Sequence, residues 1–159
     1  MLRWLWLTVL VIVLDQLSKH YVVSVFELYE RVAVLPMFDI TLAYNTGAAF
    51  SFLSDAAGWQ RWFFAAVASG VSLMLIFWLR SLKPTERWLA VALALVLGGA
   101  LGNLYDRIVL GHVVDFLLVY YKQHYFPAFN IADSAITVGA FMLIVDAIRN
   151  RESKTQSET

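Results

Sequence analysis

The sequence predicts a small integral membrane protein, all-α within the bilayer, with four transmembrane helices and a small β-sheet outside it. Three observations carry that expectation. The 159 residues are 60% hydrophobic and only 15% charged, whereas soluble domains carry about 25% charged residues. Two uncharged runs, Trp62–Leu79 and Trp88–Tyr105, are each 18 residues long. Between the apolar runs lies a stretch that alternates oily and polar side chains with the period of a strand. An aromatic share of 15% excludes disorder, because disordered chains are poor in such residues. The length suits one domain, placed over residues 1–149 and followed by a polar tail at 150–159 that reads as unstructured.

The first span is expected over about residues 4–26. Its uncharged part, Trp4–Leu14, has only 11 residues, so the helix must continue through Asp15 and Lys19 to cross about 30 Å of hydrocarbon. A cleaved signal peptide is the competing reading, since Arg3 precedes an apolar stretch. Asp15-Gln16-Leu17-Ser18-Lys19-His20 stands where a small-residue cleavage site would be required, which weighs against it.

The next segment, 27–61, is read as extracytoplasmic and β-rich. Phe38, Ile40, Leu42 and Tyr44 alternate with Asp39, Thr41, Ala43 and Asn45, giving a strand with one oily and one polar face. Arg31–Leu35 is placed to pair with it across Pro36-Met37, and Pro36 confines that pairing to an edge or turn. Phe52, Ala56, Trp59 and Phe63 recur at helical spacing and could lie along the membrane surface.

The second and third spans, about 62–79 and 88–106, are each close to 27 Å long at about 1.5 Å per residue. Segment 107–129 returns outside, with Val113–Tyr121 as a third β-rich run. The fourth span occupies about 130–148. There is no internal repeat. Arg3, Arg80, Lys83, Arg87, Arg149, Arg151 and Lys154 gather on one side, seven basic residues against five on the other, which predicts cytoplasmic termini. Trp4, Trp6, Trp59, Trp62, Trp78 and Trp88 fall near span ends, where interfacial anchors belong.

Twelve Lys+Arg balance twelve Asp+Glu, so no global field recruits nucleic acid. The absence of Cys removes disulfides, thiolate metal sites and cysteine nucleophiles. His20, His112 and His124 are scattered without metal-ligand spacing, and H-E-x-x-H and G-x-S-x-G are absent. No metal or cofactor is therefore expected, and His112 and His124 read as interfacial residues.

The informative residues are ionisable groups at membrane depth, each of which costs about 2.5–3.5 kcal/mol even on the milder insertion scale. Asp15 and Lys19, four apart, share a helix face and read as a structural ion pair. A Ser–Lys catalytic pair through Ser18 is less favoured, since Ser18 faces elsewhere. Asn103 and Arg107 are also four apart, at the outer end of the third span. A cation at a helix C-terminus is favourable by itself, while the sharper reading has both reaching an external pocket. Gly98, Gly99 and Gly102 before them allow close helix packing.

Asp115 sits in an oily β-branched run, poorly placed unless it faces a wet pocket. Asp133 opens the fourth span, and taken alone it reads as an N-cap. Both acids nevertheless fall on the same side of the membrane, beside Asn103, Arg107 and Asn130. Two neighbouring carboxylates cannot easily both ionise, so one keeps a proton, which supplies a base for water and an acid for a carbonyl. A proton-coupled carrier using Asp115 and Asp133 as a relay is the alternative, although four spans without a repeat are few for one. A non-catalytic scaffold would require both acids to be replaceable.

Five ordered motifs then resemble the bacterial lipoprotein signal peptidases, or signal peptidase II. They are Asp15-Gln16-Leu17-Ser18-Lys19, Asn45-Thr46-Gly47-Ala48-Ala49-Phe50-Ser51, Gly98 through Arg107, Val113-Val114-Asp115, and Phe129-Asn130-Ile131-Ala132-Asp133. The resemblance implies a four-helix aspartic endopeptidase of the bacterial inner membrane with an external β-cradle. It implies prolipoproteins already carrying diacylglycerol as substrates, cut just before the modified cysteine. By the same resemblance Asp115 and Asp133 are catalytic, Asn45, Gly47, Asn103, Arg107 and Asn130 bind substrate, and Asp15 and Lys19 support the scaffold. Membrane lipids are the other expected partners, and a monomer is expected.

Overall fold

The computed structural model describes residues 1–47 and 59–157. A short 3-10 turn at Leu2–Trp4 leads into α1 (Leu5–Val25), followed by strands β1 (Arg31–Leu35) and β2 (Phe38–Asn45). Helices α2 (Trp59–Ser81) and α3 (Arg87–Val109) come next, then β3 (Val113–Tyr121), β4 (His124–Tyr125) and α4 (Ile131–Ser157). Four stretches are long and apolar enough to cross a membrane: Leu2–Val25, Trp59–Ser81, Arg87–Val109 and Ile131–Arg149. Four is the number the sequence predicts. Phe52 and Ala56, part of the surface-helix expectation, lie outside the described residues. Trp59 and Phe63 sit in the first turns of α2, edge to face at 5.9 Å.

Helix α4 corrects the reading of the tail, since its backbone stays helical to Ser157. The sequence after Arg149 is polar but contains no Pro or Gly, so nothing stops the hydrogen-bond ladder where the apolar pattern ends.

The bundle is built inside out relative to a soluble protein. On α1 the buried positions are Thr8, Val11, Asp15, Lys19 and Val22, a stripe at helical spacing, while Leu10, Leu14, Leu17 and Tyr21 are exposed. Lipid is as apolar as leucine, so oily side chains gain little by facing inward, and polar ones are kept where protein can satisfy them. Helix α3 is central and packs against the other three. Its buried surface is mostly Ala and Gly, which allows close approach. A Cβ on Gly102 would stand 2.8 Å from Asp15 Oδ2, and one on Gly99 would collide with the carbonyl of Ala132. At the end away from the sheet, Leu75, Leu79, Leu82, Leu93 and Leu97 form one core cluster, with Met1, Trp4 and Leu5 packed beside it.

The sheet is antiparallel in the order β1-β2-β3-β4. β1 and β2 form the expected hairpin around Pro36-Met37, with Met37 at φ 68°, and β1 is an edge strand, where Pro36 costs no ladder bond. β2 pairs with β3 across the intervening helices, Ala43 opposite Asp115 and Asn45 opposite Val113. The two-residue β4 has no counterpart among the expected elements. Leu42, Val114 and Phe116 pack on Val22 of α1, fixing the sheet to one end of the bundle. The opposite face, carrying Asp39, Thr41, Ala43, Asn45 and Asp115, is the inner wall of a cradle.

Candidate active site

Two carboxylates meet where β3 approaches the start of α4. Asp115 is held in the middle of the sheet and is only 2% exposed. Its Oδ2 accepts from Asn45 Nδ2 at 3.0 Å and its Oδ1 from Asn130 Nδ2 at 2.7 Å. Asp133 is half-buried, its Oδ1 accepting from Asn103 Nδ2 at 2.7 Å and its Oδ2 from the Asn130 backbone N–H at 3.2 Å. Asn130 therefore touches both acids, through its side chain on one and its main chain on the other.

The start of α4 explains that arrangement. Asn130 is the N-cap: its Oδ1 accepts the Asp133 N–H at 2.9 Å while Asp133 reaches back to the Asn130 N–H. This is the reciprocal capping box, with Asp133 at the third helical position. The N-cap role that Asp133 suggests when taken alone belongs to Asn130, three residues earlier. Burial, with repulsion from Asp133 second, pushes Asp115 from 3.8 up to about 7, against the lowering effect of Asn45 and Asn130. A carboxyl with that value holds its proton for about half the time near neutral pH.

Asp15 and Lys19 form the predicted pair, at 2.7 Å and almost wholly buried. Lys19 also meets Asp106 at 2.8 Å and donates to Asn103 Oδ1 at 3.0 Å. Asp15 Oδ1 accepts the backbone N–H of Ala132 at 2.9 Å, and Asp106 Oδ2 accepts that of Val114 at 3.2 Å. The ion cluster thus grips one residue immediately before each catalytic candidate. Gln16 bridges Asp15 and Asp106, at 3.2 and 2.9 Å. Sequence reasoning marks Asp106 only as a polar neighbour and gives Gln16 no role. No local signal in the sequence marks either residue, because only the fold brings Asp106 and Gln16 to Asp15 and Lys19. Ser18 donates to the carbonyl of Asp15, as expected of a residue facing away.

Asn45 and Gly47 sit together: the Gly47 N–H donates to Asn45 Oδ1 at 2.8 Å, leaving Nδ2 for Asp115. Gly47 has φ 99° and a Cβ there would strike Phe64, so the turn that aims Asn45 requires glycine. Arg107 is half-buried, donates to the Asn103 carbonyl at 3.1 Å and lies 5.5 Å from the Phe64 ring. The contact with Asn103 is the bond to its own helix end that the sequence allows. Arg61, given no role by the sequence, donates to the carbonyls of Arg107 and Ile108 at 2.6 and 2.5 Å and so closes the end of α3. His112 stacks on Tyr44 at 4.1 Å, and burial lowers its pKa, leaving a neutral ring.

The family model described as signal peptidase (SPase) II matches residues 7–149. The chain belongs to the signal peptidase II family. Among its relatives, the lipoprotein signal peptidase of Pseudomonas aeruginosa (strain UCBPP-PA14) is 64% identical over 154 residues, covering 96% of this chain and 91% of the relative. The lipoprotein signal peptidase of Pseudomonas putida (strain KT2440) is 62% identical over 155 residues, with the same coverage. A bacterial membrane enzyme solved by the in meso method at 2.3 Å superposes with a TM-score of 0.85 at 29% identity, covering 96% of this chain and 91% of that one. A second, at 1.9 Å, has a TM-score of 0.81 at 30% identity, covering 91% of this chain and 92% of its own. Signal peptidase II members are peptidases, and the fold and family expectations above are both met.

Proposed function

We propose that this signal peptidase II member removes the signal peptide from diacylglyceryl-modified prolipoproteins, cutting before the lipid-bearing cysteine, with Asp115 and Asp133 as the catalytic pair. The observation that carries the reading is the meeting of both carboxylates on Asn130, with Asp115 raised to about 7. Protonated Asp115 hydrogen-bonds the scissile carbonyl, and Asp133 takes a proton from the attacking water. The tetrahedral diol then collapses as the cysteine nitrogen is protonated, freeing a carboxylate on the signal peptide and an amine on the lipoprotein. Asn45, Gly47, Asn103, Arg107 and Asn130 line this site and hold the substrate backbone, while Asp15 and Lys19 support it. The enzyme acts as a monomer in the bacterial inner membrane, with cytoplasmic termini and the dyad near the periplasmic face. The placing of Met1 and the α2–α3 turn at the end opposite the sheet supports that orientation, together with the basic residues gathered there.

The test is incubation of purified protein in detergent with lipid-modified and unmodified precursor, followed by product masses. Cleavage of the modified form before its cysteine is expected, with loss of that cleavage in Asp115→Asn and Asp133→Asn. Cleavage at the parent rate by either variant would refute the dyad. The carrier alternative gains nothing from the fold or the relatives, and it would require solute flux in liposomes.

A further inference from the structure

A second cleft, of about 410 Å³, opens on the same sheet face as Asp115. Ala43, the cross-strand partner of Asp115, lines its inner end, and Thr41 and Leu118 form its floor. At the far end Arg31, on edge strand β1, reaches over the sheet to Tyr125 of β4, its guanidinium 4.7 Å from the ring centroid. The two edges of the sheet thus close over the cleft. A cation–π contact uses no hydrogen-bond donor, so the guanidinium N–H groups stay available for a carboxylate.

No acid lines this cleft, and among the described residues Arg31 makes no ion pair. Asp39 lies on the same face, opposite Ala33 in the register, and does not pair with Arg31 either. An unpaired cation, held in place at the mouth of an otherwise apolar and hydroxyl-lined cleft, selects for negative charge.

Resting on the peptidase reading above, we propose that Arg31 is a specificity-determining residue that receives an acidic side chain of the substrate just after the lipid-bearing cysteine. The hydrophobic signal segment and the acyl chains both lie in the bilayer, so only the chain that follows the cysteine leaves along the sheet, away from the membrane. Arg31 pairs with Thr41, two residues along the strand from Ala43. At about 3.3 Å per extended residue, and allowing for the length of the arginine, the side chain it meets is about two to four residues beyond the cut.

The test uses the full-length protein and three diacylglyceryl-modified precursors differing only at the second to fourth residues after the cysteine, which are Asp, Ser or Lys. The parent is expected to show kcat/KM about two- to fivefold higher for the acidic precursor than for the neutral one, the range of a solvent-facing ion pair, with the basic one lowest. Arg31→Gln flattens that order and Arg31→Glu reverses it, while both cut the neutral precursor at the parent rate, which also shows them folded. An unchanged order in Arg31→Glu overturns the proposal. So does an equal slowing of all three precursors, since Arg31 would then act on folding or on lipid. Failure of the parent to cut any modified precursor would instead overturn the peptidase reading, which separates the two.

Discussion

The substitution Asp115→Asn should change how stability depends on pH, by an amount that follows from the site. Unfolded, an aspartate titrates near 3.8, and in the folded protein Asp115 titrates near 7. Between those values the folded state binds one proton more than the unfolded state, so stability falls as pH rises. The slope is about 1.36 kcal/mol per unit. The decline begins near pH 4 and levels off once Asp115 has ionised, above about pH 7. From pH 5 to pH 8 the parent should therefore lose about 3 kcal/mol through this one residue.

A carboxamide in place of the carboxyl cannot titrate, so the variant lacks that decline. It does carry a constant cost of about 1–2 kcal/mol, because its amide nitrogen must face either Asn45 or Asn130, both of which donate to Asp115. At pH 5 the two proteins should be nearly equal in stability, since protonating Asp115 on folding already costs the parent about 1.6 kcal/mol there, and at pH 8 the variant should be the more stable one. On the scale of about 2–4 °C per kcal/mol for a chain of this size, the gap in Tm between variant and parent should move by about 6–12 °C across that range. Thermal scans of both proteins in one detergent at pH 5, 6, 7 and 8 measure it. Titrating groups that do not interact with Asp115 are common to the two proteins and cancel. Parallel Tm–pH curves would refute a protonated Asp115 at neutral pH, and the assignment of the acid role with it.

Hydrolysis itself should follow the same titration: kcat/KM should fall above about pH 7 as Asp115 loses its proton, and a pH–rate profile with a flat alkaline limb would contradict this. Lys19→Met should destabilise the protein by about 3–5 kcal/mol, because Asp15 and Asp106 remain buried without their cation; denaturation in detergent reads the loss. Gly99→Ala should cost toward the upper end of about 1–3 kcal/mol, since the carbonyl it meets belongs to backbone that cannot turn away. The comparison protein is Gly70→Ala, which meets nothing within 4 Å and should leave Tm unchanged or slightly raised.

The spans are legible in the sequence because lipid imposes a length and a composition that 18 uncharged residues satisfy plainly. Strand β2 is legible because one face packs on apolar side chains and the other carries the polar residues of the cradle, so the period-two alternation survives although both faces are covered. Nothing local reveals that β2 pairs with β3, since that contact spans about 70 positions and two helices, nor that two residues at 124–125 add a fourth strand. The polar end of α4 misleads because hydropathy locates the membrane and not the helix. Asp115, Asp133 and the asparagines stand out through polarity out of place. Asp106 escapes notice for the converse reason: at the end of a span, next to an arginine, its charge looks solvated. Only folding turns it toward Lys19.

The buried ion cluster explains more than the anchoring of α1. An asparagine amide can flip by half a turn at little cost to its shape, exchanging donor for acceptor. At Asn103 this exchange is blocked, because Lys19 carries donors only and holds Oδ1 at 3.0 Å. Nδ2 must then face Asp133. At Asn130 the Asp133 N–H holds Oδ1 in the same way, so its Nδ2 must face Asp115. A serine or glutamine in place of Lys19 could accept as well as donate, and Asn103 would be free to turn its oxygen toward a carboxylate. A fixed cation removes that freedom, and the two amide dipoles stand oriented toward the acids before substrate arrives. Asp15 and Asp106 are what allow such a cation to be buried at all: both pair with it, and each also accepts a backbone N–H, from Ala132 before Asp133 and from Val114 before Asp115. At Asn103 the buried cation thus fixes in one sense an amide that a side chain able both to donate and to accept would leave free to turn.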